Sequence, residues 1–126
     1  MGLSWGTPAK VIDAVTVTAE AESDLSSEVD MDACVGVVGF SVACVFNASA
    51  TAGAILNVYP CYDGVNYAST PAEAGLLDLQ DAGNSTEQHV YFPISCRKVK
   101  VAVENLDAAQ SITGVSVWAH KQTLSA

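Results

Sequence analysis

Two histidines, His89 and His120, are the side chains of this 126-residue chain best placed for proton transfer near neutral pH. A hydrolase built on either needs a nucleophile and an orienting carboxylate beside it. The sequence holds no G-x-S-x-G, P-loop, G-x-G-x-x-G or H-E-x-x-H motif. Fourteen carboxylates always offer pairs for acid and base work, but no spacing singles out two of them. Six acids crowd into Glu20–Asp32, yet they lack the D-x-[DN]-x-[DN]-G spacing of a calcium loop and alternate along a strand-like stretch. They read as a solvated or partner-facing surface. Cys34, Cys44, Cys61 and Cys96 contain no C-x-x-C pair, which argues against a zinc ribbon or a thioredoxin-type site. Each sits in or beside an apolar run, as buried free thiols do; a disulfide stays open only for an oxidising compartment. The expectation is a protein without catalytic residues, cofactor or metal.

The charge distribution narrows the partners. Net charge is −9, and no Lys or Arg occurs between Val11 and Cys96. Basic residues are confined to Lys10, Arg97, Lys98, Lys100 and Lys121. So acidic a chain repels phosphate backbones, and nucleic acid is not an expected partner. No apolar run approaches the length of a membrane span, and Met1–Lys10 lacks the basic and apolar regions of a secretory leader. Synthesis in the cytoplasm without export is expected. Among small molecules, a sugar is the best rival ligand, stacked on Tyr59, Tyr62 and Tyr67 with Asn66, or on Trp118 with His120.

The elements that must carry these residues are strands. Val, Ala, Ser and Thr dominate, and no helical heptad pattern occurs. Residues 1–9 read as an N-terminal arm without regular structure, with Trp5 tucked on its own domain or anchored on a neighbour. Residues 10–126 read as a single domain. Lys10–Ala19 alternates, with Val11, Asp13, Val15, Val17 and Ala19 sharing one face, and a second strand is expected around Leu25–Met31. Cys34–Asn47 is apolar on both faces and reads as a central strand buried from both sides. Ile55–Tyr62 is followed by Asp63-Gly64, a hairpin turn, and a return strand reaching Tyr67.

Further along, Thr86–Ile94 places Val90, Phe92 and Ile94 inward and Glu87, His89 and Tyr91 outward, with Pro93 at an edge or strand end. Lys98–Glu104 puts Val99, Val101 and Val103 on one face. Ile112–Lys121 closes the set with Val115, Val117 and Ala119 inward and Ser116, Trp118 and His120 outward. About seven or eight strands predict an all-β, antiparallel two-sheet β-sandwich of jelly-roll or Ig-like order.

Two stretches carry a family resemblance: NVYPCYDGVNYAS from Asn57, and HVYFPISCRKVKVAVENLDAAQSITGVSVWAHK from His89. They resemble small virion structural proteins of tailed bacteriophages, in which a Y-D-G-x-N-[YW] strand precedes a Pro-Ile segment, K-V-x-V-x-V-x-N-L-D and a closing V-x-V-W-A strand. The D-G-x-N-Y phrase is also similar to the discoidin-type sugar-binding fold. The phage resemblance implies a head decoration (cement) protein that binds the major capsid protein on the outer capsid surface and associates with itself, as a trimer. It implies a virion location and multivalent attachment rather than an active site. A tail, neck or baseplate subunit, or a carbohydrate-binding module, is the alternative. The contact residues expected on this reading are Trp5, Trp118 and His120, with Arg97, Lys98 and Lys100 as a basic counterpart.

Overall fold

A computed structural model of the chain describes residues 2–32, 34–93 and 96–124. Nine strands run through them: β1 (Leu3–Trp5), β2 (Ala9–Val17), β3 (Val29–Asp30), β4 (Val37–Phe46), β5 (Ala54–Pro60), β6 (Glu73–Leu77), β7 (Ser85–Pro93), β8 (Lys98–Asn105) and β9 (Ile112–Leu124). No helix occurs among the described residues, so none there is long and apolar enough to cross a membrane. The all-β, antiparallel expectation is met.

The pairing follows one rule. β2 pairs with β9, β3 with β8, β4 with β7 and β5 with β6, all antiparallel. The chain is thus one long ribbon doubled back at the β5–β6 connection. It then rolls, so that β4 also meets β9 and β5 also meets β8. Two sheets result: a five-stranded one in which β1 and β2 lie along one edge of β9, followed by β4 and β7, and a four-stranded one ordered β3-β8-β5-β6. Their inner faces share one core in which Phe40, Phe46, Leu56, Leu77, Val101, Val103, Val115 and Val117 are fully buried. Phe40 and Phe92 meet at 6.1 Å with tilted rings, a geometry that adds about 0.5–1.5 kcal/mol beyond burial.

The strand count exceeds the expected seven or eight for a specific reason. Leu3–Trp5, read as irregular, is a strand because β9 continues to Leu124, and Gln122–Leu124 supply its partners. Neither segment pairs without the other. β2 also departs from simple alternation. Its register slips between Lys10 and Ile12, Ile12 and Val15, and Val15 and Val17. Each bulge rotates the next side chain, so the adjacent Val11 and Ile12 are both buried while Asp13 and Ala14 are exposed. Ala14 sits at φ 49° and its N–H donates to Ser116 Oγ at 2.9 Å, which buries a serine expected to face out.

The acidic stretch forms only the two-residue β3, and Leu25 is exposed. It still follows the free edge of β8, where Ser23 N–H donates to the Val103 carbonyl and Ser26 N–H to that of Val101. The hydroxyls of Ser23 and Ser26 accept the N–H groups of Val103 and Val101 in return. Its acids stay exposed, as a solvated surface requires, but three of them are also hydrogen-bonded within the chain. Glu22 accepts from Asn57 and Tyr59, Glu28 from Tyr67, and Asp32 from Arg97.

The Asp63-Gly64 turn forms, with Gly64 at φ 88° and the Asp63 carboxylate accepting the N–H groups of Val65 and Asn66. The return strand does not form: Tyr67 makes a single bridge to Cys61, and β6 is the segment that pairs with β5. In β4, Val38, Phe40, Val42, Cys44 and Phe46 enter the core, while Ser41, Ala43 and Val45 stay half exposed, so one face is buried rather than both. Val90, Phe92, Glu87, His89 and Tyr91 take the predicted sides of β7, and Pro93 ends that edge strand. Ile94 lies outside the described residues.

Candidate functional site

The outer face of the five-stranded sheet gathers side chains from four separate stretches. Register places Ser41 on β4 between His89 on β7 and Trp118 on β9, and Gly39 between Tyr91 and His120. Alternation turns all of them away from the core. Ser41 Oγ lies 2.8 Å from His89 Nδ1 and 2.8 Å from His120 Nε2. A hydroxyl has one proton, so it donates to one imidazole and accepts the N–H of the other. That ties the two ring tautomers together. Partial burial and the neighbouring His89 hold the His120 pKa below its ordinary value.

Aromatic rings frame this polar centre. Trp5, carried across from β1, lies 6.1 Å from Tyr91 with the rings tilted by 46°. Gly39 makes that approach possible: a Cβ there would stand 2.8 Å from the Tyr91 ring. On the other side Lys10 holds its ammonium 5.1 Å from the centre of the half-buried Trp118 ring, a cation–π contact that supplies the cover an outward Trp requires. Two adjoining grooves, of about 440 and 520 Å³, share Pro8, Ser41, His89 and His120. Trp5 and Tyr91 line the first, and Trp118 and Glu87 the second. Leu3 and its register partner Leu124 extend the surface past Trp5, and Leu3, Trp5, Tyr91 and Leu124 are all exposed. In a chain of net charge −9, Glu87 is the one carboxylate among the residues lining the two grooves.

Three of the residues expected at a contact surface, Trp5, Trp118 and His120, therefore meet on one sheet face. The basic three do not join them. Lys98 and Lys100 lie on β8 of the other sheet, and Arg97 just precedes it. Each has an internal partner: Arg97 makes a two-point pair with Asp32 at 2.7 and 2.8 Å, Lys98 stands 3.6 Å from Glu28, and Lys100 sits 4.7 Å from the Tyr67 ring centre. Of the tyrosines weighed as sugar platforms, Tyr59 is buried, and burial with the Glu22 hydrogen bond pushes its pKa up to about 12. Tyr67 is tied to Glu28 at 2.5 Å, while Tyr62 is exposed. Sequence reasoning missed Ser41, Gly39, Pro8 and Tyr91 as members of the face. Ser41 was legible only as a lone hydroxyl within an apolar strand; its partners depend on pairings with strands far away in sequence. Among the described residues, no group of three or more His, Cys, Asp or Glu side chains could hold a metal ion.

No protein-family model matches the chain, and no curated protein matches it. Among solved structures, a chain from Bacillus endospore appendages, described as a novel family of disulfide-linked pili, is 17% identical. That alignment covers 99% of this chain and 93% of that one at a TM-score of 0.45. The dimeric latent PorU of Porphyromonas gingivalis is 8% identical over 90% of this chain and 13% of that one, at a TM-score of 0.41.

Proposed function

We propose that this chain is a non-enzymatic structural subunit of a phage particle, a capsid decoration protein that associates with itself and docks on the major capsid protein at the outer capsid surface. One observation carries the reading: the outer face of the five-stranded sheet is a connected surface bearing exposed Leu3, Trp5, Tyr91 and Leu124 beside the half-buried Trp118, with Lys10 and Glu87 at its margin. Apolar surface of that kind, edged by polar groups, is what contact sites use, and Trp and Tyr are the side chains that anchor them. The ribbon pairing of β2 to β9 fits an eight-stranded jelly roll, an architecture shared by viral capsid and lectin domains. The residue resemblance to tailed-phage virion proteins supplies the particle. Chemistry weighs against catalysis. Ser41 is held between two imidazoles, and among the described residues no carboxylate orients either ring.

The test is co-sedimentation with purified capsids that lack the chain, combined with measurement of its oligomeric state. The decoration reading expects saturable binding in hundreds of copies by a trimer, weakened at least tenfold by Trp5→Ala or Tyr91→Ala. A folded protein that leaves capsids bare, or is present in only a handful of copies per particle, removes it in favour of a tail, neck or baseplate position. A second reading has its own observation: exposed Trp5 and Tyr91 rings beside the Ser41, His89 and His120 polar groups match what an uncharged oligosaccharide needs. That reading expects a monomer and glycan binding lost with Trp5→Ala.

A further inference from the structure

The four cysteines divide into two kinds. Cys44 points from β4 into the core, where burial pushes its thiol pKa up to about 11 and leaves it unreactive. Cys61 and Cys96 sit together at one end of the four-stranded sheet. The Cys61 N–H donates to the Lys98 carbonyl at 2.9 Å, and the Cys96 thiol donates to that same oxygen at 3.0 Å. Cys61 continues β5 one residue past the Pro60–Val99 pair, and Cys96 lies two residues before Lys98 on the adjoining strand. The Cys61 backbone and the Cys96 thiol therefore meet at one carbonyl oxygen, which places the Cys96 sulfur beside the Cys61 backbone. Cys34 is engaged elsewhere, its thiol donating to the Val37 carbonyl at 3.3 Å.

The surroundings give a reagent access. Cys61 lines a cavity of about 320 Å³ with Tyr62, Gly64, Arg97 and Lys98. Arg97 and Lys98 at its wall are paired with Asp32 and Glu28, yet Arg97 stays largely exposed and can still meet an anionic thiol reagent such as glutathione disulfide.

We propose that Cys61 and Cys96 form an intramolecular disulfide when the folded protein meets a small anionic disulfide. The Cys61 thiolate attacks one sulfur of glutathione disulfide, forming a mixed disulfide and expelling one glutathione thiolate. The Cys96 thiolate then attacks the Cys61 sulfur and expels the second. The two protons lost by the protein thiols go to the two glutathione thiols; the protein is oxidised by two electrons and the glutathione disulfide reduced by two. The bond fastens the Cys61–Tyr67 loop, with its exposed Tyr62 and Val65, to the entry of β8.

The experiment treats the native protein with glutathione disulfide at mildly alkaline pH, then alkylates remaining thiols and maps peptides without reduction. Supporting results are an intact mass lower by two hydrogens, a Cys61–Cys96 linked peptide, and Cys44 still unmodified. The melting temperature should rise by about 10 °C, as expected for a loop of this length. Cys96→Ser should instead stop at a stable glutathione adduct on Cys61, a readout that does not depend on the stability gain. A Cys34 linkage, a disulfide-joined dimer, or both thiols remaining free to alkylate in the folded protein would each overturn the proposal.

Discussion

Replacing Asn57 by Asp alters almost no volume and reverses the hydrogen-bonding role of one buried side chain. The Asn57 amide donates to Glu22 Oε2 at 2.7 Å and to Glu104 Oε1 at 3.0 Å, and the Tyr59 hydroxyl donates to the same Glu22 oxygen at 2.6 Å. Asn57 is 5% exposed, so its donors have little water to turn to. Aspartate removes both donors and places a third carboxylate between two others. Hydrogen bonds to charged groups contribute about 1.5–3 kcal/mol each, so two amount to about 3–6 kcal/mol. Glu22 is open to solvent on one side, which recovers part of that. A loss of about 3 kcal/mol at neutral pH is expected, a large share of the ~5–15 kcal/mol typical of a domain. Urea unfolding should show it as a midpoint lower by about 2 M, with unchanged slope. The penalty must shrink on acidification, because protonating the introduced carboxylate restores an O–H donor and removes the added charge. Asn57→Ala introduces no carboxylate, so its deficit should shrink less on acidification than that of Asn57→Asp. An Asn57→Asp midpoint within about 0.5 M urea of the parent (about 1 kcal/mol), or a deficit that does not change with pH, would refute the reasoning.

Other outcomes follow from the same structure. Gly39→Ala should displace the exposed Tyr91 ring while leaving the core intact, so the melting temperature moves little and the proposed capsid binding falls at least tenfold; an unchanged affinity in the binding assay would count against the Trp5–Tyr91 surface. The Asp107 pKa is held down to about 2 by the N–H groups of Thr51, Ala109, Gln110 and Ala52. A lowered carboxylate pKa contributes stability above its unfolded value of 3.8 and loses it as pH falls toward about 2. Asp107→Asn should therefore flatten the acid limb of a stability–pH curve in that window. For His120, whose folded pKa is lowered from 6.5, the folded state prefers the neutral ring, so its contribution is lost as pH falls through 6.5 and below. An NMR titration of the His120 ring proton should give a midpoint below 6.5, and His89→Gln should move it back up.

Much of the fold was legible because alternation is a local property. Val99, Val101 and Val103, or Val90 and Phe92 against His89 and Tyr91, declare their faces within a few residues. Asp63-Gly64 marked a turn for the same reason, yet the return strand failed because Asp63 commits its carboxylate to Val65 and Asn66, closing a compact loop. The β2 bulges were invisible, since nothing in KVIDAVTVTA marks where the register slips. β1 and the last turn of β9 were invisible for a different reason: each is a strand only in the presence of the other. The same limit applies to the site. Trp5, Trp118 and His120 stand out as residue types, but their convergence with Ser41 and Tyr91 depends on pairings across most of the chain. Glu28, Asp32, Arg97 and Lys98 drew attention as free charges, and pairing among themselves absorbed them.

The ribbon also sets the order in which the protein can be made. β5 and β6 are close in sequence, so Val58 meets Glu73 after a short closure, whereas Ala9 must wait for Ala119. β9 is the central partner of β1, β2 and β4 alike, and it follows the other eight described strands in the chain. During translation the four-stranded sheet can close around the β5–β6 tip while β2 and β4 remain with open edges. The five-stranded sheet, and with it the Trp5–Ser41–Trp118 face, comes into being only when β9 slots between them. Entropy of such distant closures makes folding slow and leaves strand edges exposed meanwhile. A ribosome-stalled chain ending before Ile112 should therefore be protease-sensitive in β2 and β4, and should need a chaperone rather than a partner subunit to stay soluble.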